Sequence, residues 1–417
     1  ETLGLSPCDV KPRIFDGQAA AAFTAKIAPG LVALGVDPQD YAQRAAPLQY
    51  VWRARKRLQQ RLSIASSMLE PVGGVSHMRI AYPLQALRTD AMITTQFSSK
   101  GESEITNVAS DTPRIFTLHR PSLLGEAGAS RIRRLLSEGW VIVTEFDDHP
   151  DHFGMLGSDD QYAFSGVHAV QTSTLALASV LRRYNPEVAV FSNMIPSLPD
   201  VHNFTDPNVV TLFFGALNRE QDWAPLMLAL NAAAEKAGER LRFCVVHDQG
   251  FFDSLHTPHK QFTPTCDHDT YMALLGQCEI SFMPLADTPF NRAKSDLKFI
   301  EAGACRVAAL ASHIVYADSV EDGRTGLLFR DADQLRDRLL RLVAMPGLAQ
   351  GLGSAARNYV AGERMLAYQV VPRIAWYRSL WARREELTNA LYSRLANVPQ
   401  QGFTAPLRRP TEFGALS

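Results

Sequence analysis

From residue 62 onward, short apolar runs alternate with longer amphipathic stretches, the pattern of βα units built around parallel sheets. A first series of predicted strands covers Leu62–Ser66, Ala91–Phe97, Arg114–His119, Val141–Phe146, Val167–Thr172 and Val188–Ser192, with helical periods at Val75–Leu87, Ala129–Glu138 and Leu175–Tyr184. The stretch 194–207, with Pro196, Pro199 and Pro207 and no periodicity, reads as a linker. A second series follows at Val209–Phe214, Leu241–His247, Gln261–Thr263, Glu279–Leu285, Val307–Ala311 and Gly326–Phe329. The expected fold class is therefore α/β, with two doubly wound, Rossmann-like domains over 62–195 and 208–365 facing a cleft. Helical patterns near Asp333–Val343, Leu348–Val360 and Tyr368–Leu391 end the chain. The helix over 366–392 is expected to fold back on the first domain, and 393–417 to be a loosely held tail. Residues 1–61 read as a helical N-terminal extension.

Doubly wound sheets bind ligands outside the carboxyl ends of their strands, so candidate chemistry belongs in the loops that follow them. The strongest such stretch is PLADTPFNRAKSDLKFIEAGA, residues 284–304, where a strand ends at Pro284 and a helix is expected to start near Ser295. At 100° per residue Lys294, Lys298 and Glu301 share one stripe and Leu297, Ile300 and Ala304 the adjacent one. Two ammonium groups, a hydroxyl from Ser295 and a helix N-terminus suit a diphosphate, and Glu301 one turn deeper suits ribose hydroxyls. A solvated face with a Lys298–Glu301 ion pair is the equally weighted alternative. In FFGALNREQDW, residues 213–223, Gly215 closes a strand, Arg219 can reach a phosphate, and Asp222 is expected to cap a helix with Pro225 in its first turn. Gly73 and Gly74 open a helix carrying His77 and Arg79; the loop mirrors the phosphate-type loop of the other half, although the segment viewed alone reads first as a tight turn before a helix. In TEFDDHPDHF, residues 144–153, Asp147, Asp148, His149, Asp151 and His152 crowd the end of a strand. Acid/base chemistry is one reading of that cluster, a divalent-metal site a minority one, and an acid-rich helix start the third.

Composition narrows the partners. The 417 residues carry a formal net charge of -1, with 46% hydrophobic and 20% charged residues, an ordinary globular balance with no basic field to hold nucleic acid. Five cysteines without a CxxC pair fit neither a disulfide framework nor a zinc ribbon, and point to a reducing, cytoplasmic setting. No run approaches a membrane span, and the first thirty residues lack the pattern of a secretory signal. The basic stretch with Arg53, Arg55, Lys56, Arg57 and Arg61 makes peripheral contact with the inner membrane a secondary expectation. HExxH, GxSxG and GxxxxGK[ST] are absent, and the single glycine after the 209–214 strand falls short of GxGxxG.

Several strings together resemble a family. FFGALN (213–218), FTPTCDHDTYMALLGQCEISFMPL (262–285), FIEAGACRVAALAS (299–312) and DGRTGLLF (322–329) are similar to the C-terminal domain of GT-B glycosyltransferases of the family 4 type. GGVSHMRIAYPLQAL resembles that family's glycine-rich loop and first helix, and VHAVQTSTLALASVLRRY with VFSNMIP its following stretch. FNRAKSDLKFIE and the paired aspartates after the 141–146 strand resemble a bacterial subgroup tied to surface polysaccharide or protein glycosylation. The resemblance implies a GT-B fold and transfer of a hexose from a nucleotide-diphosphate sugar to a glycan, lipid-linked or protein acceptor, without metal or cofactor. It implies donor binding by Gly215, Asn218, Arg219, Thr263, Thr265, Asn291, Lys294, Ser295, Lys298 and Glu301, with Thr263 to Thr265 bordering the base. Gly73, Gly74, His77 and Arg79 would face the acceptor, and Asp147, Asp148 and His149 the reacting carbon; Asp148 or His149 is the base if configuration inverts. Two positions depart from the family pattern: Ala293 replaces the first glutamate of E-x7-E, and Ala216 the arginine of its glycine loop. These departures keep a non-catalytic nucleotide- or glycan-binding module in view, and the fold keeps a nucleotide-sugar epimerase in view.

Overall fold

The computed structural model describes residues 61–70, 74–100, 112–154, 162–202, 206 and 208–396, with isolated positions at 28, 29, 32 and 37–39. Gly73, the tail beyond 396 and nearly all of the expected N-terminal extension, with its basic stretch, lie outside the described residues. The chain divides into two compact units, residues 1–62 and 63–417.

Two six-stranded sheets organise the larger unit, each with helices on both sides. The first runs in the order β2-β1-β3-β4-β5-β6. Its strands are β1 (Leu62–Ser67), β2 (Ile93–Ser98), β3 (Arg114–His119), β4 (Val141–Glu145), β5 (Ala169–Thr172) and β6 (Val188–Val190). Its helices are α1 (Tyr82–Leu87), which continues a π-helical turn over His77–Ala81, α2 (Gly125–Ser137) and α3 (Leu175–Leu181). The second sheet runs β12-β11-β10-β7-β8-β9. It is built from β7 (Val210–Gly215), β8 (Leu241–Val246), β9 (Lys260–Thr263), β10 (Ile280–Met283), β11 (Ala308–Ser312) and β12 (Gly326–Phe329). Between these strands come α4 (Glu220–Trp223), α5 (Met227–Ala237), α6 (Gln249–Ser254), α7 (His268–Gly276), α8 (Pro289–Arg292) and α9 (Leu297–Ala304). Beyond β12 lie α10 (Ala332–Ala344), α11 (Pro346–Glu363), α12 (Ala367–Ala382) and α13 (Arg384–Ala396). Pairing is parallel from β1 through β3 to β6, and throughout the second sheet. The two expected Rossmann-like domains are therefore present.

The local chemistry explains the elements. β10 and β11 are buried along their whole length, the condition of parallel strands covered on both faces. α10 buries Leu335, Leu339, Leu342 and Val343, a one-sided apolar stripe, and is capped where the Asp331 carboxylate accepts from the Gln334 N–H. Asp267 caps α7 in the same way through the Thr270 N–H.

Two sequence expectations change. The single helix expected over Tyr368–Leu391 is two, broken at Arg383. Both pack on the first domain: from the first the Tyr377 hydroxyl donates to Gln171 Oε1 at 2.7 Å, and from the second Leu391 and Leu395 join the core and the Arg394 guanidinium donates to the Val167 carbonyl at 2.6 Å. Asp222 is not a cap: α4 begins at Glu220, and Asp222 lies buried inside it, accepting from the Asn291 side chain and from the Ala286 N–H at 2.9 Å.

Candidate functional site

In the second sheet the strand order reverses between β7 and β10, and in the first between β1 and β3. These are the positions where a crevice opens beyond the strand ends. A cavity of about 470 Å³ fills that space, lined from one side by Gly74, Arg120, Asp147, Asp148 and Asn193 and from the other by the loops after β7 and β10 and by α7 and α9.

Backbone strain clusters at its wall. Among the described non-glycine residues, positive φ occurs at Arg120 (43°), Asn218 (55°), His247 (76°), Arg306 (64°) and Val315 (68°), and the first three line the cavity. Each of these three lies just beyond a strand, so the chain turns sharply there to aim a side chain or an amide into the crevice. Gly215 ends β7 with no room for a side chain: a Cβ would stand 2.5 Å from the Tyr271 ring.

The cavity floor is basic. Half-buried Lys298 donates to the Gly215 carbonyl and lies 3.2 Å from the Tyr271 hydroxyl, both neutral groups. Burial lowers its pKa to about 8, Glu301 pulls it up and Arg219 down. The expected Lys298–Glu301 ion pair is replaced: Glu301 Oε1 lies 3.0 Å from His268 Nε2 instead. Burial opposes a charge on His268, but the Glu301 hydrogen bond and the nearby Asp269 and Asp267 carboxylates raise its pKa.

A line of alternating charge crosses the cleft. Lys294 donates to Asp148 at 2.6 Å and sits 4.2 Å over the Phe290 ring. Arg120 donates to Asp147 at 2.6 Å and lies 3.8 Å from Asp148. Burial pushes up the Asp147 carboxyl, but Arg120 outweighs it and holds the pKa below its ordinary value. Behind them burial lowers His119 to about 4. Asp147 and Asp148 are thus neutralised by cations from their own domain and from the facing one. Among the described residues no group of three or more His, Cys, Asp or Glu is placed to hold a metal ion.

Of the residues singled out from sequence, Gly74, Asp147, Asp148, Gly215, Asn218, Arg219, Lys294, Ser295, Lys298 and Glu301 meet at this cavity. Others do not line it. Arg79 is 1% exposed; it donates to Glu145 at 2.8 Å, to the Phe191 carbonyl and to Asn193 Oδ1 at 2.8 Å. It cannot reach an acceptor, but it fixes Asn193, whose amide donates to Ser295 Oγ at 2.8 Å across the cleft. His149 caps the turn Pro150–Phe153 by accepting from the Asp151 N–H. Asn291 lies beneath the wall, bonded to Arg219 and Asp222. His77 stacks beside His268 without lining the space. Thr263 is tied into β9 and Thr265 is exposed; from that loop Cys266 faces the cavity. Arg120, His247, Cys266, His268 and Tyr271 carried no spacing signal, because each owes its place to the end of a strand or start of a helix distant in sequence.

Residues 208–345 match the family described as glycosyl transferases group 1. A search of curated proteins found no match. Sucrose-phosphate synthase from Thermosynechococcus elongatus is a solved structure of the same fold, at 16% identity and a TM-score of 0.56 over 77% of this chain and 100% of that one. HepE of Anabaena, solved with UDP-glucose, aligns at 12% identity and a TM-score of 0.54 over 75% of this chain and 99% of its own. TarM aligns at 12% identity and a TM-score of 0.47 over 63% of this chain, which spans about half of TarM's length (54%).

Proposed function

We propose, from a chain of GT-B glycosyltransferase fold whose second domain matches glycosyl transferases group 1, that it moves a hexose from a nucleoside-diphosphate sugar to a glycan, lipid-linked or protein acceptor. The carrying observation is Lys298, a lysine held by two neutral groups on the cavity floor at the strand-order reversal. A diphosphate is the counter-anion that suits it. Arg219 and Lys294 border the same space, so three cations can balance the charge that develops on the diphosphate as the sugar carbon becomes oxocarbenium-like. On this reading the reaction needs no metal or cofactor. Glu301 serves the ribose, and Cys266, His247 and Tyr271 border the base. That HepE, of like fold, holds UDP-glucose supports a nucleotide-sugar donor. The first domain's Gly74 and Arg120 would then face the acceptor. Asp147 and Asp148, each engaged by a cation, favour transfer over epimerisation, which needs proton-transfer groups free at the sugar. The described cysteines are all free, which supports a reducing, cytoplasmic setting, and no described helix is long and apolar enough to cross a membrane.

Calorimetry with UDP, GDP, dTDP and their sugars tests the reading. One nucleoside diphosphate should bind selectively, Glu301→Ala should weaken it, and free nucleotide should accumulate from its sugar only with acceptor present. Affinity should fall as pH rises through about 8, because Lys298, protonated below that value, loses its charge above it. Absence of binding across the panel would overturn the assignment.

A further inference from the structure

The carboxylate assigned to the ribose is not alone. Glu301 is 4% exposed, and its only hydrogen-bonded side-chain partner among the described residues is the imidazole of His268, 3.0 Å away at Nε2. That imidazole is held from several directions. Its own helix places Tyr271 alongside at 6.3 Å between ring centroids and 11° between planes. From the other domain His77 lies at 6.4 Å and 14°. Gly74, also from the other domain, comes so close that a Cβ would stand 2.5 Å from His268 Cδ2 and 2.7 Å from Nε2. The ring therefore cannot swing away from Glu301 while the two domains stand as they do.

A carboxylate free to rotate presents two equivalent oxygens. With Oε1 engaged by a fixed imidazole, its orientation is set, and the other oxygen has a defined direction in which to accept from a hydroxyl. We propose that His268 is a positioning residue which orients Glu301 to accept from the ribose 2′-hydroxyl, so that the pocket selects ribonucleotide over 2′-deoxyribonucleotide donors, and that Gly74 of the facing domain holds His268 in place. The raised pKa of His268 agrees with a firm hydrogen bond to Glu301. This inference rests on the nucleotide-sugar reading above.

The test compares UDP and GDP with their 2′-deoxy counterparts on wild type, His268→Ala and His268→Gln. Glutamine can carry its amide N–H to about where the imidazole Nε2 stands, so it keeps the bond to Glu301. Wild type should prefer the ribonucleotide by about tenfold or more, as a site built around a hydroxyl rejects the analogue without it. His268→Ala should lower ribonucleotide affinity by about tenfold, leave deoxyribonucleotide affinity within about threefold and so erase the preference; His268→Gln should restore it. A purely structural role would weaken both ligands alike. If His268→Ala fails to fold, Gly74→Ala presses on the same ring from the other domain and should reduce the same ratio. A wild type that binds both forms equally, or a folded His268→Ala that keeps the preference, overturns the inference while leaving the proposed function intact. Selective binding of dTDP, which lacks the 2′-hydroxyl, likewise overturns the inference alone, and a wild type that binds neither these four nor dTDP overturns both.

Discussion

Lys294 faces a choice of anion. It pairs with Asp148 across the cleft, and the donor diphosphate would have to displace that carboxylate. Two substitutions should then act with opposite sign. Lys294→Ala should weaken binding of the preferred nucleoside diphosphate by about 1 to 3 kcal/mol, the range for a charge-assisted hydrogen bond. Asp148→Asn should tighten it by up to about 1 kcal/mol by removing the competing charge. Calorimetry at matched ionic strength reads both, and weaker binding by Asp148→Asn would rule out competition. Helical spacing placed Lys294, Lys298 and Glu301 on one side of their segment, and all three do reach the cavity. The resemblance turned Arg79 toward the acceptor, yet Met78, Arg79 and Ile80 are all buried. What buries Arg79 is Glu145 at the end of β4, a partner 66 positions away that no periodicity could supply.

At the scale of elements, the corner between α8 and α9 explains the missing first glutamate. Ala293 is 4% exposed, packs into the first domain's core, and its carbonyl accepts from the Thr174 hydroxyl at 3.1 Å. The position serves domain contact, so restoring the family's residue should harm rather than help. Ala293→Glu should destabilise the protein by about 2 to 4 kcal/mol through overpacking and a buried carboxylate, seen as a lower urea midpoint. A stable variant with tighter nucleotide binding would refute this. Most strands were legible because parallel strands covered on both faces are near-continuous apolar runs, β10 and β11 being plain cases. The break between α12 and α13 was not, because helical periodicity carries on across Arg383 and both helices take their directions from packing on the first domain, through Tyr377 on one and Leu391 and Leu395 on the other.

For the whole molecule, the chain passes between domains twice, and the two passages run side by side: the Ile195 N–H donates to the Arg364 carbonyl at 2.8 Å, and the Leu366 N–H to the Ile195 carbonyl at 2.9 Å. Arg364 ties this seam to the cleft, donating to Asp296 at the start of α9 at 2.9 Å and to the Asn193 carbonyl at 3.0 Å. Arg364→Ala leaves Asp296 without its cation and should cost about 2 to 4 kcal/mol. It should also split thermal unfolding into two calorimetric transitions, one per domain; a single transition at the wild-type midpoint would count against that role. The return of α13 to the first domain has a further consequence, for biogenesis. On a ribosome the second domain emerges whole, whereas the first, begun earlier, waits for helices encoded roughly 200 codons downstream, a delay of roughly 10 to 40 s at ordinary translation rates. Of the two domains the one made first is thus the one finished last, and the nascent first sheet must be kept from other chains until α13 arrives.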